Sequence, residues 1–384
     1  PAPKCLPDTR IAVREKIAQW LHDREGLPIL WLKGPAGYGK SSIAQTIAEE
    51  CHESGNLAGS FFFSRGHAGR SNITGFIPTI SSQLTINIPS SRNLVYQAIL
   101  NDPSISDKAR QKQFKRLVID PLHQLKDIVT PKVLVIDALD ECGTNASVDE
   151  LVKIMANTQF PLRVFITSRQ ESDIQEVFRD PMINDKTHHL ALETFQAEDD
   201  IHVFLHHQFS LIYERKQLAL HGIPEVWPSV ADLKRLVELS SGLFIFASTV
   251  VRLVAEDDED GHPTQRLKVV LETPPGLNNL YTQILSTANL GPNFQNIVGT
   301  IILLKEPLTV KKLEQLLQLK THTILNALSK LHSILMIPNN NDTPIRLFHK
   351  SLFDHLTNQV HAGESFIDLK VHTIHITLAC LKSM

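Results

Sequence analysis

Along the first half of the chain, apolar residues come in short continuous runs separated by stretches with a helical repeat. Five runs predict strands: Ile29–Lys33, Ser60–Ser64, Lys132–Asp137, Leu162–Thr167 and His188–Leu192. A short apolar run bounded by turn residues fits a strand buried on both faces. Between the first two strands, Ile43, Ala44, Ile47 and Ala48 share one helical face. A long helical insert, "FIPTISSQLTI" through "QFKRLVIDPLHQL", separates the second strand from the third. Strand–helix alternation of this kind predicts a parallel sheet with helices on both faces.

The pattern changes beyond Thr194. "AEDDIHVFLHHQFSLIYERKQ" and "SVADLKRLVELSSGLFIFASTVVRLVAE" read as helices, followed by the acidic, loop-like "EDDEDGHPT" and the break "TPPG". Then come two helices, a strand pair around "NNND" and a short helix, the order of a winged helix-turn-helix. The predicted architecture is an α/β P-loop NTPase domain followed by an all-α helical domain and a winged-helix domain. Its boundaries are 1–193, 194–288 and 289–360, with 361–384 starting a further helical region.

Composition narrows the classes. The 384 residues are 42% hydrophobic and 21% charged, the balance of a soluble globular chain of two to four domains. A net charge of −3 gives no electrostatic case for nucleic acid or an anionic membrane. Cys5, Cys51, Cys142 and Cys380 form no C-x-x-C pair, so free thiols and a cytoplasmic, reducing location are expected. No apolar run is long enough to span a membrane. The chain begins at Pro1 and stops inside the helix-like "IHITLACLKSM", so it reads as a piece of a longer protein.

"GPAGYGKS" follows the first strand and opens a helix, and it fits G-x-x-x-x-G-K-[ST]. Gly37 and Gly39 allow positive φ, so that successive N–H groups turn inward around phosphates. Gly34, Pro35, Ala36, Gly37, Tyr38, Gly39, Lys40, Ser41 and Ser42 are therefore the candidate phosphate cradle. Lys40 would reach the β- and γ-phosphates of ATP or ADP, and the Ser41 hydroxyl would be a Mg²⁺ ligand. In "KVLVIDALDEC" the third strand presents Asp137 at its C-terminal end, placed to hold Mg²⁺ directly or through water. Asp140 and Glu141 follow on the loop as candidates for orienting the attacking water, and the sequence does not choose between them. "LRVFITSRQE" ends a strand in Thr167-Ser168-Arg169, where a guanidinium can contact a γ-phosphate. A surface arginine just past a strand is the plainer reading of Arg169.

Other nucleotide machines fit less well. No N-K-x-D guanine-reading motif is present, and "LSSGL" resembles an ABC signature about a hundred residues too late. The candidate recognition helix "THTILNALSKLHS" carries one lysine and suits DNA phosphates poorly. His202 and His206 stand one helical turn apart but lack a third metal-ligand partner. Arg65, after the triple Phe, is read as an anchor of the sheet's edge with no chemistry assigned, and the triple Phe itself as core.

The set "GPAGYGKS", "FFFSR", "VLVIDALDEC" and "FITSR" resembles the NACHT domain of signal-transduction ATPases with numerous domains (STAND). It is most similar to the NACHT proteins of filamentous fungi, especially basidiomycetes, which are also classed with nephrocystin-like N-terminal modules. The resemblance extends over nearly the whole chain, through "CLPDTR", "PTISSQL", "SSGLFIFAS", "PPGLNNLYTQIL", "RLFHKSLFDHLT" and "ACLKSM".

The resemblance implies that Lys40 and Ser41 bind phosphate and Mg²⁺, that Asp137 organises Mg²⁺, and that Asp140 and Glu141 support hydrolysis. Arg169 would be the γ-phosphate sensor. Thr9 and Arg10 sit where such proteins contact adenine, although a Thr before a helix is commonly an N-cap. His349 matches a winged-helix histidine that in relatives reaches the β-phosphate of ADP, and packing between wing and helix is its plainer reading. The family's Gly-x-Pro is here Gly242-Leu243-Phe244, with phenylalanine where the proline would stand.

The expected function is a slow regulatory ATPase that switches shape with its nucleotide and controls oligomerisation in signalling of a non-self-recognition or cell-death kind. Self-association through the NACHT domain, an N-terminal effector domain and C-terminal repeats are expected partners. A nucleotide-stabilised scaffold without turnover and a winged-helix DNA-binding regulator are the alternatives.

Overall fold

The computed structural model describes residues 3–383 apart from 24, 66–68, 126–131, 157–159, 225, 257–261, 288–290, 292, 305, 339 and 341. Residues 257–261 of the acidic loop, and 339 and 341 of the turn, fall outside the described residues. The chain separates into two compact units, residues 1–35 with 39–195, and residues 36–38 with 196–384.

The first unit is built on a five-stranded, all-parallel sheet in the order β2-β3-β4-β1-β5. The strands are β1 Ile29–Lys33, β2 Leu57–Phe62, β3 Val133–Asp137, β4 Arg163–Ser168 and β5 Thr187–Ala191. β4 lies between the strand leading to the phosphate loop and the strand carrying Asp137. β3 and β4 are buried along their whole length, so their runs of Val, Ile and Phe need no polar alternation. α1 (Ile11–His22) precedes β1, and α2 (Lys40–Glu53) follows it, burying Ile43, Ala44, Ile47, Ala48 and Cys51. α3 (Phe76–Asn87) opens the long insert and packs on β2.

β2 begins earlier than the apolar run "FFF" predicts. Leu57 and Ala58 are buried, and the strand's edge at Ser60 is paired with a side chain rather than another strand. Gln83 of α3 accepts from Ser60 N at 2.7 Å and donates to Ser60 O at 3.0 Å. A side-chain amide thus substitutes for one step of a β ladder and closes an edge that would otherwise pair with another chain. Phe61 and Phe63 are core, with rings 4.8 Å apart and Phe76 5.2 Å from Phe61.

The second unit is helical from Glu198–Arg215 through Leu277–Thr287 and Phe294–Leu303. Val310–Leu317 and Thr321–Leu328 follow, then the antiparallel pair β6 (Leu335–Met336) and β7 (Arg346–Leu347), then Ser351–Leu356. The last helix is Leu369–Ser383. Its core joins Ile201, Phe209, Leu236, Phe246, Tyr281 and Leu313, all fully or nearly fully buried. Among the described residues, no helix is long and apolar enough to cross a membrane.

Candidate phosphate-binding site

In an open parallel sheet, ligands bind beyond the C-terminal ends of the strands, where the loops diverge. β1, β3 and β4 deliver the expected groups to that one edge. After Lys33 the chain turns through the glycine-rich loop, with Gly37 at φ 82° and Gly39 at φ 90°. Those angles are open to glycine and strained for residues with a Cβ. α2 then begins at Lys40 with Gly39 as its cap, so its N-terminal amides point back at the loop.

Lys40 Nζ donates to the carbonyls of Gly34 and Pro35, each at 2.7 Å, holding the ammonium across the mouth of its own loop. Burial lowers its pKa to about 8, with Arg169 adding to the effect and Asp140 and Asp137 opposing it. Asp137 is 4% exposed. Burial raises its pKa to about 6, against hydrogen bonds from Thr167 and Ser41 and the charge of Lys40. The Thr167 hydroxyl donates to Asp137 Oδ1 at 2.5 Å and accepts the N–H of Ala138 at 3.1 Å. Ala138 is held in the left-handed region, φ 54°, which turns the acidic segment away from the strand.

That segment is a single tight turn, Leu139–Glu141. Asp140 Oδ1 accepts the main-chain N–H of Arg169 at 3.1 Å, and Oδ2 lies 3.6 Å from Arg169 Nε. Glu141 Oε2 accepts the main-chain N–H of Arg65 at 2.9 Å, and Arg65 Nη2 donates to the Asp140 carbonyl at 2.8 Å. The structure therefore gathers Lys40, Ser41, Asp137, Asp140, Glu141 and Arg169, and adds Arg65 and Thr167 to them.

A hydroxyl and one carboxylate, both oxygen donors, suit Mg²⁺, which keeps several waters and takes few protein ligands. The residues present fit such an ion with a nucleotide. Among the described residues there is no group of three or more His, Cys, Asp or Glu that could hold a metal, and His202 and His206 only stack, 6.5 Å apart.

Thr9 and Arg10 are both buried at the start of α1. Thr9 does not cap the helix. Its hydroxyl donates to Leu6 O at 2.8 Å, and Arg10, at φ 57°, occupies the cap position. The segment is tied to α2 through Cys5 N and Thr46 Oγ1, 3.0 Å apart. In the second unit, His349 Nδ1 accepts the N–H of Ser351 at 3.2 Å and lies 2.7 Å from Ser351 Oγ. From one residue before the cap position, Lys350, it thus satisfies the first N–H of the helix Ser351–Leu356.

Residues 9–169 match the family model described as "Nephrocystin 3, N-terminal", a stretch from Thr9 to Arg169 that is less than half of the chain. Among curated proteins, none matches. One similar structure is the Signal Transduction ATPase with Numerous Domains protein with a tetratricopeptide repeat sensor from Pyrococcus horikoshii. It has a TM-score of 0.45 and 14% identity, and the match covers 96% of this chain and 45% of that one. The Cdc6p protein of Pyrobaculum aerophilum has a TM-score of 0.43 and 13% identity over 99% of this chain and 96% of its own. The ORC1 protein of Aeropyrum pernix, solved with DNA, has 0.39 and 13% over 94% and 95%. The chain thus spans under half the length of the first of these.

Proposed function

We propose that the chain is a nucleotide-dependent ATPase switch of the NACHT type. It binds ATP and ADP with Mg²⁺ and hydrolyses ATP slowly. The observation that carries this reading is the convergence of the Lys40 loop, Asp137 and Arg169 at the C-terminal ends of three adjacent parallel strands.

In this reading the loop amides and Lys40 bind the phosphates, while Ser41 and Asp137 hold the ion, which would neutralise charge developing between the β- and γ-phosphates. Arg169 contacts the γ-phosphate, and its position depends on Asp140. Thr9 and Arg10 serve the base, and His349 contributes to affinity for ADP. The winged-helix character of 289–360, oligomerisation in the ATP form and a signalling or cell-death role belong to the same proposal.

Two measurements test it. Nucleotide released from the purified protein should be ADP, and none at all would sink the reading. Single-turnover phosphate release should be slow but measurable. Binding without release would instead make the chain a nucleotide-stabilised scaffold.

A further inference from the structure

The two carboxylates of the acidic turn are held by different arginines from different strand ends. Asp140 is 8% exposed and is bound by the main-chain N–H of Arg169, with the guanidinium beside it. Glu141, half-buried, is bound by Arg65. Arg65 lies at the end of β2, where the ladder runs on through Phe63 N to Asp137 O at 3.0 Å. Ser64 N then bonds Arg70 O at 2.9 Å and folds the chain back on itself. From this fixed point Arg65 makes a two-pronged contact. Its N–H reaches the Glu141 carboxylate and its guanidinium reaches the Asp140 carbonyl, 2.9 and 2.8 Å away.

We infer that Arg65 is a positioning residue for ATP hydrolysis, and that the acidic pair divides its work: Asp140 places Arg169 and Glu141 orients the attacking water. The inference rests on the ATPase reading above. Asp140 is nearly buried, with one carboxylate oxygen on the Arg169 N–H and the other 3.6 Å from Arg169 Nε, so both of its oxygens face Arg169. Glu141 is half-buried, so water can reach its carboxylate, and the Arg65 main-chain N–H fixes its direction. In the reaction, the water oxygen bonds to the γ-phosphorus, and the bond from that phosphorus to the bridging oxygen breaks. The electron pair leaves with ADP. The water's proton passes by way of Glu141 to the phosphate product or solvent.

Because Arg65 is exposed, its replacement leaves the core intact. The guanidinium bond fixes the turn on which Glu141 stands, and a misplacement of about 1 Å costs up to about a hundredfold in rate. Arg65→Ala, Arg65→Lys, Glu141→Gln and the double variant Arg65→Ala/Glu141→Gln are compared in single-turnover ATP hydrolysis and in equilibrium binding of ATP and ADP. Arg65→Ala should slow turnover roughly ten- to a hundredfold with both affinities within about twofold of wild type. Arg65→Lys should recover part of the rate, since an ammonium can also donate to the Asp140 carbonyl. The double variant should be no slower than Glu141→Gln alone, because a residue that acts through Glu141 has nothing left to position. Unchanged turnover in Arg65→Ala, additive losses in the double variant, or a loss of affinity equal to the loss of rate would each overturn the inference. A wild-type protein that binds ATP without hydrolysing it overturns the ATPase reading itself and the inference with it.

Discussion

The Thr167 hydroxyl sits between Asp137 and Ala138, donating to the first at 2.5 Å and accepting from the N–H of the second at 3.1 Å. One side chain on β4 thereby satisfies both a buried carboxylate and the strained residue that follows it. Thr167→Val keeps the shape and removes both bonds. The variant should lose about 1–3 kcal/mol of stability in urea unfolding at pH 7.5, since it leaves buried polar groups unmatched. The deficit should shrink at pH 5, where Asp137 is largely protonated. An unchanged midpoint would mean that the turn relaxes without the hydroxyl.

Asp137→Asn tests the cost of the buried charge itself. The folded carboxyl titrates near 6, raised by burial above its ordinary value of 3.8. A raised carboxylate pKa means that the folded protein holds its proton more tightly than the unfolded chain does. Wild-type stability therefore falls as pH rises from about 4 through 6. The amide has no such dependence, so the melting-temperature gap in favour of Asp137→Asn should widen across that window and stay constant above it. In the same variant, Mg²⁺-dependent nucleotide affinity should drop. A gap independent of pH would show that the Asp137 carboxyl titrates alike in the folded and the unfolded chain, so that burial does not raise its pKa.

Lys40 gives the opposite pH signature, in binding. Its ammonium titrates near 8, lowered by burial, and phosphates would raise that value again by pairing with it. Affinity for ATP should be constant between pH 7 and 8 and weaken by about tenfold per pH unit above that. Lys40→Ala should abolish binding and the pH dependence together. Calorimetry between pH 7 and 9.5 checks both, and wild-type affinity in the variant would remove Lys40 from the site.

Most of this site was legible because its chemistry lies in contiguous letters. β1 spans the predicted Ile29–Lys33, and Lys40 opens its helix as the spacing requires. What escaped was held by distant or main-chain partners. Arg65 contacts residues 75 and 76 positions away through an N–H and a carbonyl, neither of which has a sequence signature. Gln83, which seals β2, is one of several polar residues in α3, and nothing local marks it out from the others. The early start of β2 was hidden because Ala58 and Gly59 are too small to read as an apolar run, although α3 covers them. Thr9 illustrates the reverse: its cap-like position in sequence is undone by the left-handed turn at Arg10.

His349 carries two roles that one thermal measurement can separate. Locally, its Nδ1 accepts the N–H of Ser351, and Ser351 Oγ lies 2.9 Å from the Tyr281 hydroxyl, so the ring is fixed to the start of its helix. Losing this bond to the first helical N–H costs about 0.5–1.5 kcal/mol whatever nucleotide is bound. His349→Ala should therefore lower the melting temperature of the nucleotide-free protein. A contribution to ADP binding is additional and reads out differently. Ligand adds RT ln(1 + [L]/Kd) to stability, so a tenfold weaker Kd at saturating ADP removes about 1.4 kcal/mol from the increment that ADP confers. The switch reading expects the ADP increment to shrink in His349→Ala while the ATP increment stays as in wild type, because only differential affinity shifts a two-state equilibrium. Ser351→Ala serves as the control for the hydroxyl contacts, since it removes Oγ and leaves both the imidazole and the Ser351 N–H in place. If His349→Ala lowers the melting temperature by the same amount with no nucleotide, with ADP and with ATP, His349 serves its helix alone and the switch must be sought elsewhere in the chain.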